Sequence, residues 1–123
     1  MLRPPTIALL TILFSAAYLQ AQTISAGEAS KHVGEQGTVC GQIADKHTAD
    51  GARGKPTFID LEHGFPHQTF TIVIWESDKD KVGEFPTHGN VCVTGAIAEY
   101  KGVPQIVLHD AKSWSSTHPN TSK

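Results

Sequence analysis

The stretch Gly89–Asp110, GNVCVTGAIAEYKGVPQIVLHD, decides the fold that this sequence predicts. Apolar residues alternate with small or polar ones across Asn90–Ala98, which is typical of a half-buried strand and not of a helix. The alternation resumes across Gln105–His109, after a Lys-Gly turn signal and a proline that lacks a backbone N–H. The stretch therefore predicts a β-hairpin closed by a short loop, with the aromatic side chain of Tyr100 near its tip.

Three segments upstream show the same strand pattern, and β-branched and aromatic residues support it. They are Glu35–Ala44, Pro56–Leu61 and Thr69–Trp75. The alternation assigns a set of apolar side chains to the inward faces: Val39, Ile43, Ile59, Leu61, Phe70, Ile72, Ile74, Val91 and Val93. Five short strands, with Gly41 where a strand must bend, favour a small closed barrel over an open sheet, because closure leaves no exposed edge.

Two short helical segments are expected beside the strands. Thr23–Val33 carries a capping-box signal, because Ser25 precedes Glu28 by three residues, and Gly34 is placed to end the helix. We expect one or two helical turns packed on one end of the barrel. Ser77–Val82, within a charged connection, is the second candidate helix.

The N-terminal segment predicts a secretory signal peptide over residues 1–21. Arg3 precedes an apolar run, Ile7–Leu19, and Ala21 is a small residue suited to the cleavage point. A transmembrane anchor is the alternative, but an anchor needs about 20 apolar residues and this run is shorter. We therefore expect a secreted or periplasmic protein with no membrane segment after cleavage.

The rest of the chain is expected to form one folded domain over residues 22–112, followed by a flexible tail over residues 113–123. The whole chain has a formal net charge of −2, and losing Arg3 with the signal peptide makes it one unit more negative. A mildly acidic domain lacks the basic footprint of a strong nucleic-acid binder.

The two cysteines, Cys40 and Cys92, each lie one residue from a valine assigned to the inward face of a strand. Both thiols are therefore expected on the outer face, where a cross-strand disulfide forms if the two strands pair. Two cysteines in an exported chain favour this bridge, and two reduced, partly buried thiols are the alternative. No C-x-x-C motif supports a redox site or a zinc knuckle.

Five blocks of sequence carry a further signal: Val39–Gly41, Pro56–Leu61, Phe70–Trp75, Val91–Gly95 and Tyr100–Ile106. Together they resemble a family of small exported bacterial OB-fold domains, described as nucleic-acid-binding-like and mostly uncharacterised. The last block is the most specific, since a tight Tyr-x-Gly-x-Pro connection before the final strand recurs in that family. Gln105 departs from the pattern, which has an acidic residue there. The resemblance implies a five-stranded OB-fold barrel with a default binding mode and no catalytic residues.

OB-folds usually bind on the face of the second and third strands, flanked by the loops joining strands one and two and strands four and five. Six residues would supply this surface: Arg53, Lys55, Phe58, Trp75, Tyr100 and Lys101. Aromatic rings there would stack on bases or sugars, and the cations would hold phosphates. The alternatives are structural. Phe58 would pack in the core or across strands, Trp75 would cover the barrel mouth, and Tyr100 would serve as a turn residue. Arg53, Lys55 and Lys101 would be solvated loop charges.

The acidic and histidine side chains do not predict a further binding site or a metal site. Asp60 and Glu62 lie close to the expected groove and would repel phosphate. His63 and His67 are four residues apart, but on a turn with glycine and proline, and the other histidines are scattered. A zinc site needs three or four converging ligands, so we expect surface histidines, no metal and no cofactor.

Enzyme signatures are missing from the sequence, including Gly-x-Ser-x-Gly, a phosphate-cradling glycine loop and His-Glu-x-x-His. A nuclease built on an OB barrel would need converging arginines, and Arg53 is the only arginine besides Arg3. The sequence therefore predicts a non-catalytic binding module for single-stranded nucleic acid or another extended polymer. The alternative is a periplasmic protein-interaction or envelope-maintenance module.

Overall fold

The computed structural model describes residues 2–5 and 23–116, and within these the structure is mostly β. Its strands are β1 (Thr23–Ser25), β2 (Gln36–Thr48), β3 (Thr57–Leu61), β4 (Phe70–Ile74), β5 (Asn90–Ala96), β6 (Ala98–Tyr100), β7 (Val103–Val107) and β8 (Trp114–Ser116). Between them lie the 3₁₀ helices Ala26–His32, Glu76–Asp78 and Ala111–Ser113 and the α-helix α1 (Lys79–Val82). The all-β class is confirmed at this level.

All the strands belong to one sheet with the order β6-β7-β4-β3-β2-β5-β8, and β1 pairs in parallel with β2. β4 and β7 are parallel, whereas the other neighbours in this order are antiparallel. The sheet is open, with β6 and β8 at its edges, so the predicted closure of five strands into a barrel is wrong. The predicted strand Asn90–Ala98 is divided at Ile97, whose backbone N–H and C=O bond to Glu35 and Gly34.

The core consists of the side chains that the alternation assigns inward. All of them are at most 7% exposed, as are Ile97, Ile106 and Leu108, which continue the same alternation in the hairpin; Ile24 joins them. Because successive side chains of a strand point to opposite faces, burial of Ile59 and Leu61 turns Phe58 and Asp60 to the other side of β3. That other side carries the candidate site.

β2 is longer than predicted and runs to Thr48. Its pairing with β3 shifts register between Ile43 and Asp45, which is where the strand bends. The predicted bend at Gly41 is therefore misplaced, and the first residues of the predicted loop Asp45–Lys55 belong to a strand.

The disulfide between Cys40 and Cys92 is present, as predicted. The two cysteines are directly opposite each other in the antiparallel pair of β2 and β5. Both are half-buried, so the bridge joins the two strands without occupying the centre of the core.

The N-terminal helical segment is a 3₁₀ helix that follows a strand absent from the prediction. Ala26 and Ala29 are buried against the core. The capping box is wrong, because the Ser25 side chain makes no capping hydrogen bond and Glu28 pairs with Lys31 at 2.8 Å. The second predicted helix, Ser77–Val82, corresponds to Glu76–Asp78 and α1.

The C-terminal boundary lies later than predicted. The expected tail begins at residue 113, but β8 pairs with β5 and ends at Ser116. The Trp114 ring packs at 4.7 Å from that of Phe85, and its Nε1 donates to the Val82 carbonyl at 2.9 Å. The remainder of the expected tail lies outside the described residues.

The predicted signal peptide, residues 1–21, also lies outside the described residues except for positions 2–5. In the part of the chain that the structure covers, no helix has the length and apolarity needed to cross a bilayer.

Candidate ligand-binding groove

A groove of about 460 Å³ lies on the outer face of β3, β4 and β7. The turn between β6 and β7 borders it on one side, and the connection from β3 to β4 borders it on the other. In this turn Lys101 and Gly102 have positive φ values of 48° and 82°, the signature of a type I′ hairpin turn. The tight turn fixes Tyr100 and Lys101 at the groove.

Strand register places the groove side chains in two rows. Asp45, Asp60, Thr71 and Gln105 are successive cross-strand partners on β2, β3, β4 and β7. The next row holds His47 and Phe58 opposite each other, followed by Val73. Five of these seven side chains line the groove itself: His47, Phe58, Asp60, Thr71 and Gln105.

Three aromatic rings give the groove its apolar surface. Phe58 is half-buried and contacts the His47 ring at a centroid distance of 5.5 Å. Phe65 and Tyr100 are 74% and 61% exposed. The Lys101 ammonium lies 5.4 Å from the centre of the Tyr100 ring. Exposed flat rings beside a cation are the chemistry that stacks planar groups and holds an anion.

The polar floor is dominated by a buried carboxylate. Asp60 is 1% exposed, and the backbone of Phe65 hydrogen-bonds to it. Its Oδ2 has no hydrogen-bond partner among the described residues, and neither has the buried Oε1 of Gln68 nearby in the lining. Burial raises the pKa of Asp60; the nearby His47 opposes this effect, and Asp45 adds to it.

Asp45, His47 and Asp60 converge at one end of the groove. His47 Nδ1 lies 3.0 Å from Asp45 Oδ2 and 3.9 Å from Asp60 Oδ2. The prediction that no histidine converges with other ligand groups is therefore wrong for His47. The Asp-x-His spacing was the signal, since residues two apart on a strand share a face, but it was hidden because this segment was assigned to a loop.

The structure brings together three of the six predicted binding residues: Phe58, Tyr100 and Lys101 line the groove. Trp75, Arg53 and Lys55 do not line it. Trp75 follows the end of β4 and lies over the connection from β2 to β3, where a Cβ on Gly54 would be 2.9 Å from its ring. Arg53 and Lys55 are exposed in that connection, so the prediction of one groove shared by Phe58, Trp75 and Tyr100 is wrong for Trp75.

The predicted phosphate-repelling residue Glu62 is also outside the groove lining, and its Oε1 accepts from the Gln42 backbone N–H at 3.0 Å. The residues that the sequence did not single out are Phe65, Gln68 and Val103, along with His47. Phe65 and Gln68 enter the groove from the turn after β3, Val103 from the start of β7, and His47 from the end of β2.

Fold and groove together define an all-β domain with a ligand-sized surface site. No protein-family model and no curated protein matches the chain. Among solved structures, the chain is similar to the crystal structure of a putative aspartyl-tRNA synthetase from Leishmania major Friedlin, with a TM-score of 0.54 and 15% identity. The match covers 85% of this chain and 22% of that one. At this identity, the likeness concerns the fold alone.

Proposed function

We propose that this protein is an exported, non-catalytic OB-fold module whose groove binds single-stranded nucleic acid or another extended polymer. The observation that carries the proposal is the position of Phe58, Phe65, Tyr100 and Lys101 around one groove. A protein that binds single-stranded nucleic acid needs flat apolar surfaces on which successive bases stack and a cation that contacts the phosphate backbone.

The strand order supports the OB-fold assignment. β2, β3, β4, β5 and β7 would be the five strands of a partly open OB barrel, in which ligands lie on the face of the second and third strands. The groove lies on β3 and β4, and the connection between the fourth and fifth strands contributes Tyr100 and Lys101. The likeness to part of a putative aspartyl-tRNA synthetase fits a nucleic-acid ligand.

The charges in the groove orient such a ligand. Lys101 is the cation in the lining, and Asp60 lies on the floor. A polymer would therefore direct phosphates toward Lys101 and base edges toward Gln105, whose side-chain oxygen accepts hydrogen bonds from base N–H groups. Export is supported by the disulfide, because such bonds persist in oxidising compartments.

Fluorescence anisotropy with labelled single-stranded oligonucleotides in low salt tests the proposal. Tyr100→Ala and Phe65→Ala should each weaken binding about 5- to 150-fold, since one stacking contact contributes roughly 1–3 kcal/mol. Trp75→Ala is the matched aromatic control and should leave affinity within about twofold. Absence of binding in low salt, or equal losses in all three variants, would contradict the proposal.

A protein-interaction module is the second candidate, and the 74% exposure of Phe65 favours it. An exposed aromatic ring beside a groove is a common anchor at protein interfaces. Pull-down from the compartment to which the chain is exported, with the wild type and with Phe65→Ala, separates the candidates. A partner that the wild type enriches and Phe65→Ala loses, combined with no oligonucleotide binding, would favour the second.

A further inference from the structure

We propose that Asp45, His47 and Asp60 form a binding site for a divalent transition-metal ion, best suited to Zn²⁺, at one end of the groove. The proposal does not depend on the nature of the groove ligand. It assigns a specific chemical role to three side chains that β2 and β3 bring together.

The donor atoms are close enough for one ion to reach all three. One oxygen from each carboxylate and one His47 nitrogen lie within 4.8 Å of one another. Zinc bonds to nitrogen and oxygen of about 2.0–2.2 Å place neighbouring tetrahedral ligands roughly 3.3–3.6 Å apart. The 3.0 Å and 3.9 Å separations from His47 Nδ1 to the two carboxylates bracket that value.

The buried state of Asp60 is a second observation that points to a bound cation. Its side chain is 2% exposed, yet Oδ2 has no hydrogen-bond partner among the described residues. A buried carboxylate oxygen without a partner is costly and rare in folded proteins. A cation held between Asp60 and His47 would compensate this oxygen directly.

The backbone keeps the three side chains on one face. Asp45 and Asp60 are cross-strand partners, and His47 lies two residues beyond Asp45 on the same strand. The Phe58 ring packs beside the His47 ring, and the Phe65 backbone bonds to the Asp60 carboxylate. Supporting contacts of this kind orient metal ligands, and sites on paired strands are held more rigidly than sites on loops.

The donor set favours zinc over calcium or magnesium. One imidazole and two carboxylates suit zinc, whereas calcium takes six to eight oxygen ligands and magnesium retains several waters. Three protein ligands leave a coordination position open. Since His47 and Asp60 line the groove, that position would face a ligand bound there.

The competing explanation is that protonated His47 acts only as a counter-ion for the two carboxylates. In that arrangement Nδ1–H donates to Asp45 across the 3.0 Å contact. A metal ion would instead displace this proton and bond to Nδ1. The two explanations differ in whether the purified protein binds the ion.

Equilibrium dialysis of the metal-free, disulfide-intact protein against ZnCl₂ distinguishes them, with Co²⁺ absorption as a spectroscopic readout of the ligand set. We expect one ion per chain, and an affinity loss of about tenfold or more in His47→Gln and in Asp60→Asn. His63→Gln, an exposed turn histidine, is the matched control and should bind as the wild type does. Thermal melts without metal show whether each variant is folded, and the exposure of His47 makes His47→Gln the safer variant.

No binding at about millimolar Zn²⁺ would overturn the proposal and leave the counter-ion explanation. Unchanged binding in a folded His47→Gln variant, or an equal loss in His63→Gln, would overturn it as well. Because no oligonucleotide is present, the outcome is independent of the test of polymer binding.

Discussion

Removing the disulfide by the double substitution Cys40→Ala/Cys92→Ala is expected to lower the free energy of unfolding by about 4 kcal/mol. The bridge links residues 52 positions apart, and the chain-entropy model gives roughly this value for a loop of that length. Each cysteine is half-buried at the surface of the β2–β5 pair, so the loss of sulfur contacts adds little. Domains of this size have total stabilities of about 5–15 kcal/mol, and the effect is therefore a large fraction of the whole.

Urea unfolding followed by far-ultraviolet circular dichroism measures this loss. The wild type treated with dithiothreitol is the matched control, because it removes the same constraint without removing sulfur. Both forms should also show a higher m-value, since an unfolded chain without the cross-link exposes more surface. A stability loss below about 1 kcal/mol with an unchanged m-value would refute the reasoning, and would mean that the bridge hardly constrains the unfolded chain.

Three further predictions concern single residues. Burial raises the pKa of Asp60, so the folded state retains the Asp60 proton at a pH where the unfolded chain has lost it. The contribution of Asp60 to stability therefore falls as pH rises above about 3.9. Urea titrations in metal-free buffer should find Asp60→Asn more stable than the wild type at pH 7, with the difference shrinking toward pH 4. Trp114→Phe should cost about 1 kcal/mol in urea, since the bond to the Val82 carbonyl is lost. Gly102→Ala should cost roughly 1–2 kcal/mol in thermal or urea unfolding, because φ is 82° there while the space around it is open.

The core was predictable because strand alternation is a property of the sequence alone. Val39, Ile59 and Ile72 lie inside because each continues a period of two, and the two cysteines pair because the same period places them on one face. The open form of the sheet, with β6 and β8 at its edges, was not predictable in this way. Pairing between segments distant in the sequence decides which strands lie at an edge, and no local pattern encodes such contacts; the backbone bonds of Ile97 to Gly34 and Glu35 are one example.

The candidate site was predictable only where it follows from strand faces or from the hairpin turn. Phe58, Tyr100 and Lys101 were found by those two signals. Trp75 was misplaced because β4 ends at Ile74 and the chain then bonds to Gly54 through the Glu76 N–H. His47 was missed because a register shift extends β2 beyond the predicted end of the strand.

If the groove binds oligonucleotides and Asp45, His47 and Asp60 bind zinc, Zn²⁺ should strengthen oligonucleotide binding. Asp45 is exposed and places a negative charge beside a groove with one lysine in its lining. A phosphate about 6 Å from this carboxylate in a water-like dielectric would lose roughly 0.7 kcal/mol, or about threefold in affinity. A bound Zn²⁺ neutralises this charge, so anisotropy titrations with zinc should recover about that factor. The oligonucleotide affinity of His47→Gln should not change when zinc is added. If the wild type binds zinc while its affinity for the oligonucleotide stays constant, the ion lies too far from the phosphates to matter and the ligand does not lie along the acidic row.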